Sequence, residues 1–265
     1  MRLSASSSPR MNSTMKDKLK KILTTLLVLG FWLGIWEIGA RIYDNNVILP
    51  TVEATFLALC NAIWDKSFVL TVLYSLLRVV GGFILGVCIS VVLAVISSKI
   101  GFVKTLIAPI MTVAKSAPVV AIIIIIWLLV GGQNVPLAIS MLMVMPIIWQ
   151  NLIDGYSAID KGLSEICTVY NFSYGKKFRL LILPTLMKFL FPGLITASGL
   201  AFKSGIAAEI ICMTKNSIGR EIYDAKLLDD GPTKFAWVIL VILLSFLIEI
   251  IIKDVVRRIE KKWHL

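Results

Sequence analysis

Long apolar segments constrain the fold of this chain more than any other feature of its sequence. Each of them has the roughly 20 residues that an α-helix needs to cross the hydrocarbon core of a bilayer. Six such windows occur, at residues 22–40, 69–97, 106–130, 135–153, 189–213 and 235–252. Hydrophobic residues make up 58% of the chain, which excludes a water-soluble protein with a single core. We therefore predict an all-α, polytopic membrane protein with about six transmembrane helices.

The third window is the least regular of the six. Lys115 and Pro118 interrupt it, and both a charge and a proline disfavour an unbroken helix in lipid. The stretch before Lys115 is therefore expected either to cross with a break or to lie along the membrane interface. Proline and glycine are common in membrane helices, so each further candidate is a weak signal on its own. The other candidate kinks or hinges are Gly131, Gly132, Pro146, Pro192 and Gly193.

Basic residues are distributed unequally between the two predicted membrane faces. With six spans, both termini share one face with the segments 99–104 and 161–188, and that face carries most of the Lys and Arg. On the opposite face, Lys and Arg are interspersed with Asp and Glu. The positive-inside rule therefore predicts that both termini are cytoplasmic. Because topology accounts for the net charge of +11, nucleic acid is not an expected partner.

These predictions divide the chain into an N-terminal cytoplasmic tail (1–21), a membrane domain (22–252) and a basic cytoplasmic C-terminal tail (253–265). Residues 1–17 include a Ser-rich run and are predicted to be disordered. A cleaved signal peptide is the alternative for the N-terminal region. The apolar run is long, however, and Glu37 and Arg41 occupy the position of a cleavage site, so we favour an uncleaved first span.

Ionisable residues inside a span are candidate functional positions, because an unpaired charge in lipid is costly. Glu37 and Arg41, and likewise Glu249 and Lys253, are four residues apart near span ends and are predicted to form helical ion pairs. The remaining candidates are Arg78, Lys115, Lys203 and Glu209. Each is a candidate to line the pathway or to be a polar position inside the membrane.

Two of these candidates, Lys203 and Glu209, share the fifth span but point about 120° apart on an ideal helix, so they are not expected to pair. Lys203 is predicted either to line a polar pathway or to reach a carboxylate on a neighbouring helix. For Arg78, the alternative to a functional role is an anchor at the membrane interface. Three cations against one carboxylate mildly favour an anionic substrate. Roughly opposite Lys203 runs a ridge of small residues that would let another helix approach closely, formed by Gly193, Ala197, Ala201 and Gly205.

The sequence lacks the residue patterns of common catalytic and metal sites. The only histidine, His264, lies next to the C-terminus, and no nucleotide-binding G-x-x-x-x-G-K-[ST] loop occurs. No cofactor, metal or catalytic residue is therefore predicted, and ATP-driven transport would need a separate ATPase subunit. The cysteines are far apart and without a C-x-x-C pair, so they are predicted to be small buried apolar residues: Cys60, Cys88, Cys167 and Cys212.

A polar segment between the fourth and fifth windows reads GLSEICTVYNFSYGKKFRLLILP, from Gly162 to Pro184. Apolar residues recur at helical spacing over residues 159–170, which predicts a short amphipathic helix. Asn171 tolerates the left-handed conformation and is expected to end that helix. A second, basic helix is predicted from about Tyr174 through Leu183, with Pro184 opening the next span. The segment is thus predicted to form a helix-turn-helix on the cytoplasmic face.

The spacing of this segment resembles the conserved cytoplasmic loop of bacterial ABC importer permeases of the nitrate, sulfonate and taurine type. Glu165 opens the match and Leu183-Pro184 closes it, whereas Ile166-Cys167 replaces two alanines of the family pattern and Asn171 replaces its glycine. The resemblance covers nearly the whole chain. Further matching segments follow in the order of that family: Trp36-Glu37, Ile48-Leu49-Pro50, the run from Ser75 to Phe83, and the run from Ala207 to Ile210.

This resemblance implies a permease subunit whose loop, about residues 158–184, couples it to an ATPase. It also implies two ATPase subunits, a second permease copy forming a homodimer, an extracytoplasmic solute-binding protein and a location in the bacterial inner membrane. The solute would be a small anionic compound such as nitrate, a sulfonate or taurine. The residues that the resemblance assigns to the coupling loop are Glu165, Ile166, Cys167, Tyr170, Asn171, Gly175, Leu183 and Pro184.

Two other classes of protein remain as alternatives. A secondary transporter or channel would work without ATPases, and it predicts intramembrane acid pairs or proton relays, for which Glu209 alone is thin support. A membrane-embedded enzyme would need clustered carboxylates or histidines at metal-ligand spacing, which the sequence does not offer.

Overall fold

The structure is a computed structural model that describes residues 11–263, and this part of the chain contains helices and no strand. A π-helical turn, Phe178–Ile182, joins α8 to α9. The helices in chain order are α1 (Met11–Tyr43), α2 (Val52–Trp64), α3 (Phe68–Lys99), α4 (Gly101–Ser116), α5 (Val119–Val130), α6 (Val135–Ser157), α7 (Lys161–Val169), α8 (Tyr174–Lys177), α9 (Leu183–Cys212), α10 (Ile218–Leu227) and α11 (Gly231–Trp263).

Five helical segments of the described chain are long and apolar enough to cross a membrane: Ile22–Tyr43, Phe68–Lys99, Val135–Ser157, Tyr174–Cys212 and Gly231–Lys262. Helices α4 and α5 are bent by 111° relative to each other and pass the same test only as a pair, so the described chain has five candidate spans, or six if this pair forms one broken span. The break falls at Ala117 and Pro118, because proline disfavours a helical conformation of the residue before it. The prediction of an all-α membrane protein with about six spans is confirmed.

Helix α6 lies at the centre of the bundle, between α3 and α9. A Cβ atom at Gly82 of α3 would collide with the carbonyl oxygen of Leu137, so the backbones of α3 and α6 approach closely. The small-residue ridge of α9 is buried and packs against the same two helices. At one end of the ridge, a Cβ on Gly193 would lie 2.9 Å from Nδ2 of Asn151; at the other, a Cβ on Gly205 would lie 2.7 Å from Cγ2 of Val79.

The remaining helices surround this three-helix core. Helix α11 packs against α2, α9 and α10, whereas α1 contacts mainly α2. Two hydrogen bonds fix the connection after α1: the indole nitrogen of Trp36 donates to the Pro50 carbonyl (3.0 Å), and Glu37 accepts from the Val52 N–H (2.9 Å). Glu37 also forms the predicted ion pair with Arg41, at 2.7 Å.

Several local predictions differ from the structure. Helix α1 begins at Met11, inside the segment predicted to be disordered, while residues 1–10 and His264 lie outside the described residues. The short helices α2 and α10 were not predicted. Glu249 and Lys253 form no ion pair in the described chain, since both side chains point outward separately; Asp254 pairs with Arg258 instead.

The prediction of buried cysteines is correct for only two positions. Cys167 and Cys212 are buried, and Cys60 is partly buried. Cys88 is exposed on the outward surface of α3, so the prediction is wrong there. A small, weakly polar thiol is compatible with an apolar surface, and burial is not needed to explain it.

Candidate functional site

The first candidate site is the elbow, which we define as residues 158–184. Its helix α7 begins at Asp160, whose carboxylate caps the helix by accepting a hydrogen bond from the Leu163 N–H (3.0 Å). The helix ends in a Schellman motif: the N–H of Phe172 donates to the Cys167 carbonyl (2.9 Å) and that of Asn171 donates to the Thr168 carbonyl (3.0 Å). Asn171 has φ of 51°, which is the left-handed conformation predicted from the sequence.

The apolar side of α7 faces outward from the described chain. Leu163 and Ile166 are each 50% exposed, and Val169 and Tyr170 are more than 70% exposed. Cys167 alone turns toward the protein, where it is buried. Glu165 is exposed and makes no hydrogen bond or ion pair with another described residue. The elbow thus presents apolar side chains at a position between two membrane-crossing helices.

The second limb of the elbow returns to the bundle through α8. Ser173 caps α8 by accepting from the Lys176 N–H (3.4 Å), and the Lys176 ammonium lies 4.1 Å from the centre of the Phe172 ring. The Lys177 ammonium donates to the Ser164 carbonyl (3.4 Å), which ties the two limbs together. Gly175 is exposed, and a Cβ atom there would meet open space.

The junction between the elbow and the fifth span differs from the prediction. Leu183 and Pro184 do not separate two helices, because the helix is continuous over Tyr174–Cys212. Pro184 has no N–H to donate and its ring crowds the preceding turn, so the helix widens to a π-turn there, and the Leu183 N–H donates to the Phe178 carbonyl. The Thr185 hydroxyl satisfies the Leu181 carbonyl (2.8 Å). Helices α8 and α9 are therefore joined without a break across Pro184.

The second candidate site lies at the opposite end of the bundle, which we call the α10 end; it comprises α2, α10 and the connections 131–134 and 213–217. Glu209 is fully buried there. Its Oε2 accepts hydrogen bonds from the Ser75 hydroxyl (2.8 Å) and the Gly219 N–H (3.2 Å), and its Oε1 lies 3.6 Å from Nη1 of Arg78. Ser75 in turn accepts from the Ile218 N–H (2.9 Å). One carboxylate thus joins α3, α9 and the start of α10.

Arg78 completes this network. Its guanidinium donates to the carbonyls of Lys215 (3.0 Å) and Asn216 (3.2 Å), so it holds the connection between α9 and α10. Asn216 and Met213 are both left-handed, with φ of 48° and 49°, which gives this connection its sharp turns. Of the four intramembrane candidates, Arg78 and Glu209 are therefore brought together. The contribution of Ser75 was missed in the sequence, because a serine in an apolar run gives no signal of its partner.

Lys115 and Lys203 are placed differently. Both side chains are exposed, and neither forms a hydrogen bond or ion pair within residues 11–263. Lys115 lies in the last turn of α4, next to the break before α5, and Lys203 lies nine residues before the end of α9. The structure does not bring Lys203 to a carboxylate.

A cavity of about 520 Å³ opens at the α10 end between α2, α10 and α11. Trp237 and Phe68 form its apolar wall, with ring centres 5.6 Å apart, and three carboxylates line the other side, from Asp65, Glu221 and Asp230. Burial, together with the negative charges of Asp224 and Asp65, raises the pKa of Glu221. Hydrogen bonds from Ser67 lower the pKa of Asp65.

Five or six candidate membrane crossings, with a buried polar network at one end and an exposed elbow at the other, define a multi-pass membrane protein. The match to a family model is more specific and covers residues 86–261. The chain belongs to the family of binding-protein-dependent transport system inner membrane components, which are ABC transporter permeases. The family resemblance predicted from the sequence is confirmed.

Two relatives illustrate this membership. The nitrate import permease protein NrtB of Synechococcus elongatus is 25% identical over 237 residues, which cover 83% of this chain and 82% of the relative. The bicarbonate transport system permease protein CmpB of the same organism is 28% identical over 223 residues, which cover 79% of each chain. Both alignments span most of the bundle.

Proposed function

We propose that this chain is the membrane-spanning permease subunit of an ATP-driven importer and that the elbow is where an ATPase subunit docks. The exposed apolar face of α7 carries this proposal. Leu163, Ile166 and Tyr170 lie outside the membrane-crossing segments, where exposed apolar side chains mark a protein–protein contact. Glu165 and Gly175 add polar and open positions on the same elbow.

The continuous helix Tyr174–Cys212 supports a coupling role for this contact. A displacement of the docked elbow would pass through α8 and the π-turn into α9, which packs against α3 and α6. The π-turn at Leu183 and Pro184 is the point where the helix departs from regular geometry, and such turns occur frequently at functional positions. We propose that displacement of the elbow moves the core helices along this path.

The complete transporter would contain two ATPase subunits and a second copy of this chain, because one chain has too few spans to enclose the usual importer pathway. An extracytoplasmic solute-binding protein would deliver solute to the α10 end. The distribution of basic residues supports an orientation with the elbow and both termini in the cytoplasm and the subunit in the bacterial inner membrane.

The solute is proposed to be a small anion. The two relatives are named for the import of nitrate and the transport of bicarbonate, which are both small oxyanions. A sulfonate or taurine would suit the same class of permease. The alternative of a secondary transporter gains no support from Glu209, because Ser75, Arg78 and Gly219 already engage that carboxylate.

Co-purification tests the docking proposal. We would express the chain with its genomic neighbours, purify it in mild detergent and ask whether a P-loop ATPase co-elutes. Ile166→Glu should abolish co-elution, because it places a charge in the apolar face of α7. Ile100→Glu is the matched control, since Ile100 is also 50% exposed and lies at the same end of the bundle, outside the elbow. An equal loss in both variants, or in neither, would contradict docking at the elbow.

A further inference from the structure

Lys203 is a cation at mid-depth in the bundle. The Ser140 hydroxyl donates to the Ala201 carbonyl (3.1 Å), and a Cβ on Gly82 would lie 2.8 Å from Cβ of Ser140, so these three residues share one level. Gly82 lies about 21 Å from one end of α3 and about 26 Å from the other, at the helical rise of 1.5 Å per residue. Lys203 itself lies about 14 Å before the end of α9 at Cys212, so it is well inside the membrane-crossing segment Tyr174–Cys212.

The other sides of α9 are occupied at this level. Ala201, Phe202, Ser204 and Gly205, which flank Lys203 in sequence, are all buried against neighbouring helices. Lys203 instead shares an exposed stripe with residues one and two turns earlier, namely Leu200 and Thr196. The Thr196 hydroxyl donates to the Pro192 carbonyl (3.1 Å), so Lys203 is the charged residue of this stripe.

Lys115 is a second exposed cation in the membrane-crossing part of the chain, before the break between α4 and α5. Helix α5 packs against α9, in a cluster where Val119 and Ile123 of α5 join Ala207 and Ala208 of α9. Ala207 is one helical turn beyond Lys203, and Val119 directly follows the break that separates Lys115 from α5. Lys115 thus directly precedes, across the break, the helix that packs against α9, and no carboxylate of the described chain pairs with either lysine.

We infer that Lys203 lines the solute pathway and that, with Lys115, it supplies the positive charge that admits a small oxyanion. This inference rests on the proposed transport function. A charged lysine facing hydrocarbon at the bilayer centre is costly, so an aqueous pathway is the environment that fits its exposure. Arg78 does not share this role, because Glu209 and two backbone carbonyls compensate its charge.

Cysteine accessibility tests the inference without knowledge of the solute. In a cysteine-free version of the assembled transporter, Lys203→Cys would be reacted with anionic and cationic methanethiosulfonates of equal size. We expect reaction with the water-soluble reagents, and a rate for the anionic one about tenfold or more above the cationic one, because residual positive charge concentrates anions. Lys115→Met in the same background should bring the two rates together.

Two positions serve as controls. Lys188→Cys lies on the same helix near the elbow, where Lys188 is exposed, and it should react with both reagents. Leu247→Cys lies near the middle of α11, where Leu247 is 51% exposed on an apolar surface, and it should react with neither. The inference would be overturned if Lys203→Cys, like Leu247→Cys, reacted with neither reagent. It would also be overturned if Lys203→Cys formed an oxidative cross-link between two copies without reacting with either reagent.

Transport gives a second readout. Lys203→Met in proteoliposomes should lower nitrate or bicarbonate uptake by roughly tenfold or more, and Lys203→Arg should retain most of it, because a charged hydrogen-bond donor is kept. Co-elution of the ATPase is measured on the same preparations. If no ATPase co-elutes with the wild-type chain, the importer proposal is overturned. Anion-selective labelling of Lys203→Cys would still support the pathway assignment in that case.

Discussion

The α10 end and the elbow end of the molecule satisfy their side chains in opposite ways. At the α10 end, Glu209, Ser75 and Arg78 exchange hydrogen bonds with each other and with backbone groups, and the carboxylate is fully buried. At the elbow end, Ile166 and Tyr170 are exposed and no helix of the described chain packs extensively on α7. One end is closed by its own residues, and the other leaves an apolar face uncovered.

This difference separates structural from contact roles. A buried polar network that is nearly fully hydrogen-bonded fixes the arrangement of the helices it joins, and losing one member leaves the others unsatisfied. An exposed amphipathic helix contributes little to the stability of its own chain, so its apolar residues serve a partner. Substitutions at the two ends should therefore separate stability from coupling.

The largest effect on stability is expected at the α10 end. Glu209→Ala should destabilise the subunit by about 3–5 kcal/mol, because Arg78 and the donors from Ser75 and Gly219 lose a buried partner. The measurement is the unfolding temperature of the purified subunit in detergent. Asp254→Asn is the control, since it removes one partner of an exposed ion pair with Arg258 and should change stability by less than about 1 kcal/mol. Similar unfolding temperatures for the two variants would contradict the structural role of the network.

At the elbow, we expect a smaller effect on stability and a larger effect on coupling to the ATPase. Asn171 is left-handed, so Asn171→Val should cost about 1–2 kcal/mol locally and distort the elbow, whereas Asn171→Gly should preserve it. We expect Asn171→Val to lose co-elution of the ATPase while its unfolding temperature stays near that of the wild type. Full co-elution with Asn171→Val would show that the turn geometry does not matter for docking.

The sequence predicts the elbow better than it predicts the α10 end. The spans, the short amphipathic helix and the left-handed Asn171 follow from local pattern and residue type, because each depends on neighbours in the chain. The network of Ser75, Arg78 and Glu209 depends on contacts between residues more than 130 positions apart, which no local pattern encodes. The break at Pro118 was visible, but the continuity through Pro184 was not, since a π-turn accommodates a proline that usually marks a helix start.

The smallest effect on stability is expected at the acidic cavity of the α10 end. Glu221 lines it, and burial and the neighbouring charges of Asp224 and Asp65 raise its pKa. A carboxyl whose pKa is higher in the folded state binds its proton more tightly there, so its contribution to stability falls as the pH rises from its unfolded value through its raised folded value. Above that window, the ionised Glu221 opposes folding.

Glu221→Gln should therefore raise the unfolding temperature slightly at pH 8, corresponding to less than about 1 kcal/mol because the group is only partly buried. Near pH 4 the difference from the wild type should vanish, since the wild-type carboxyl is then protonated. Glu165→Gln makes the same change of charge on the exposed elbow, and its unfolding temperature should follow the wild type at both pH values. A Glu221→Gln variant that is less stable at pH 8 would mean that the ionised carboxylate stabilises the α10 end, and the acidic cavity would then belong to the structural network.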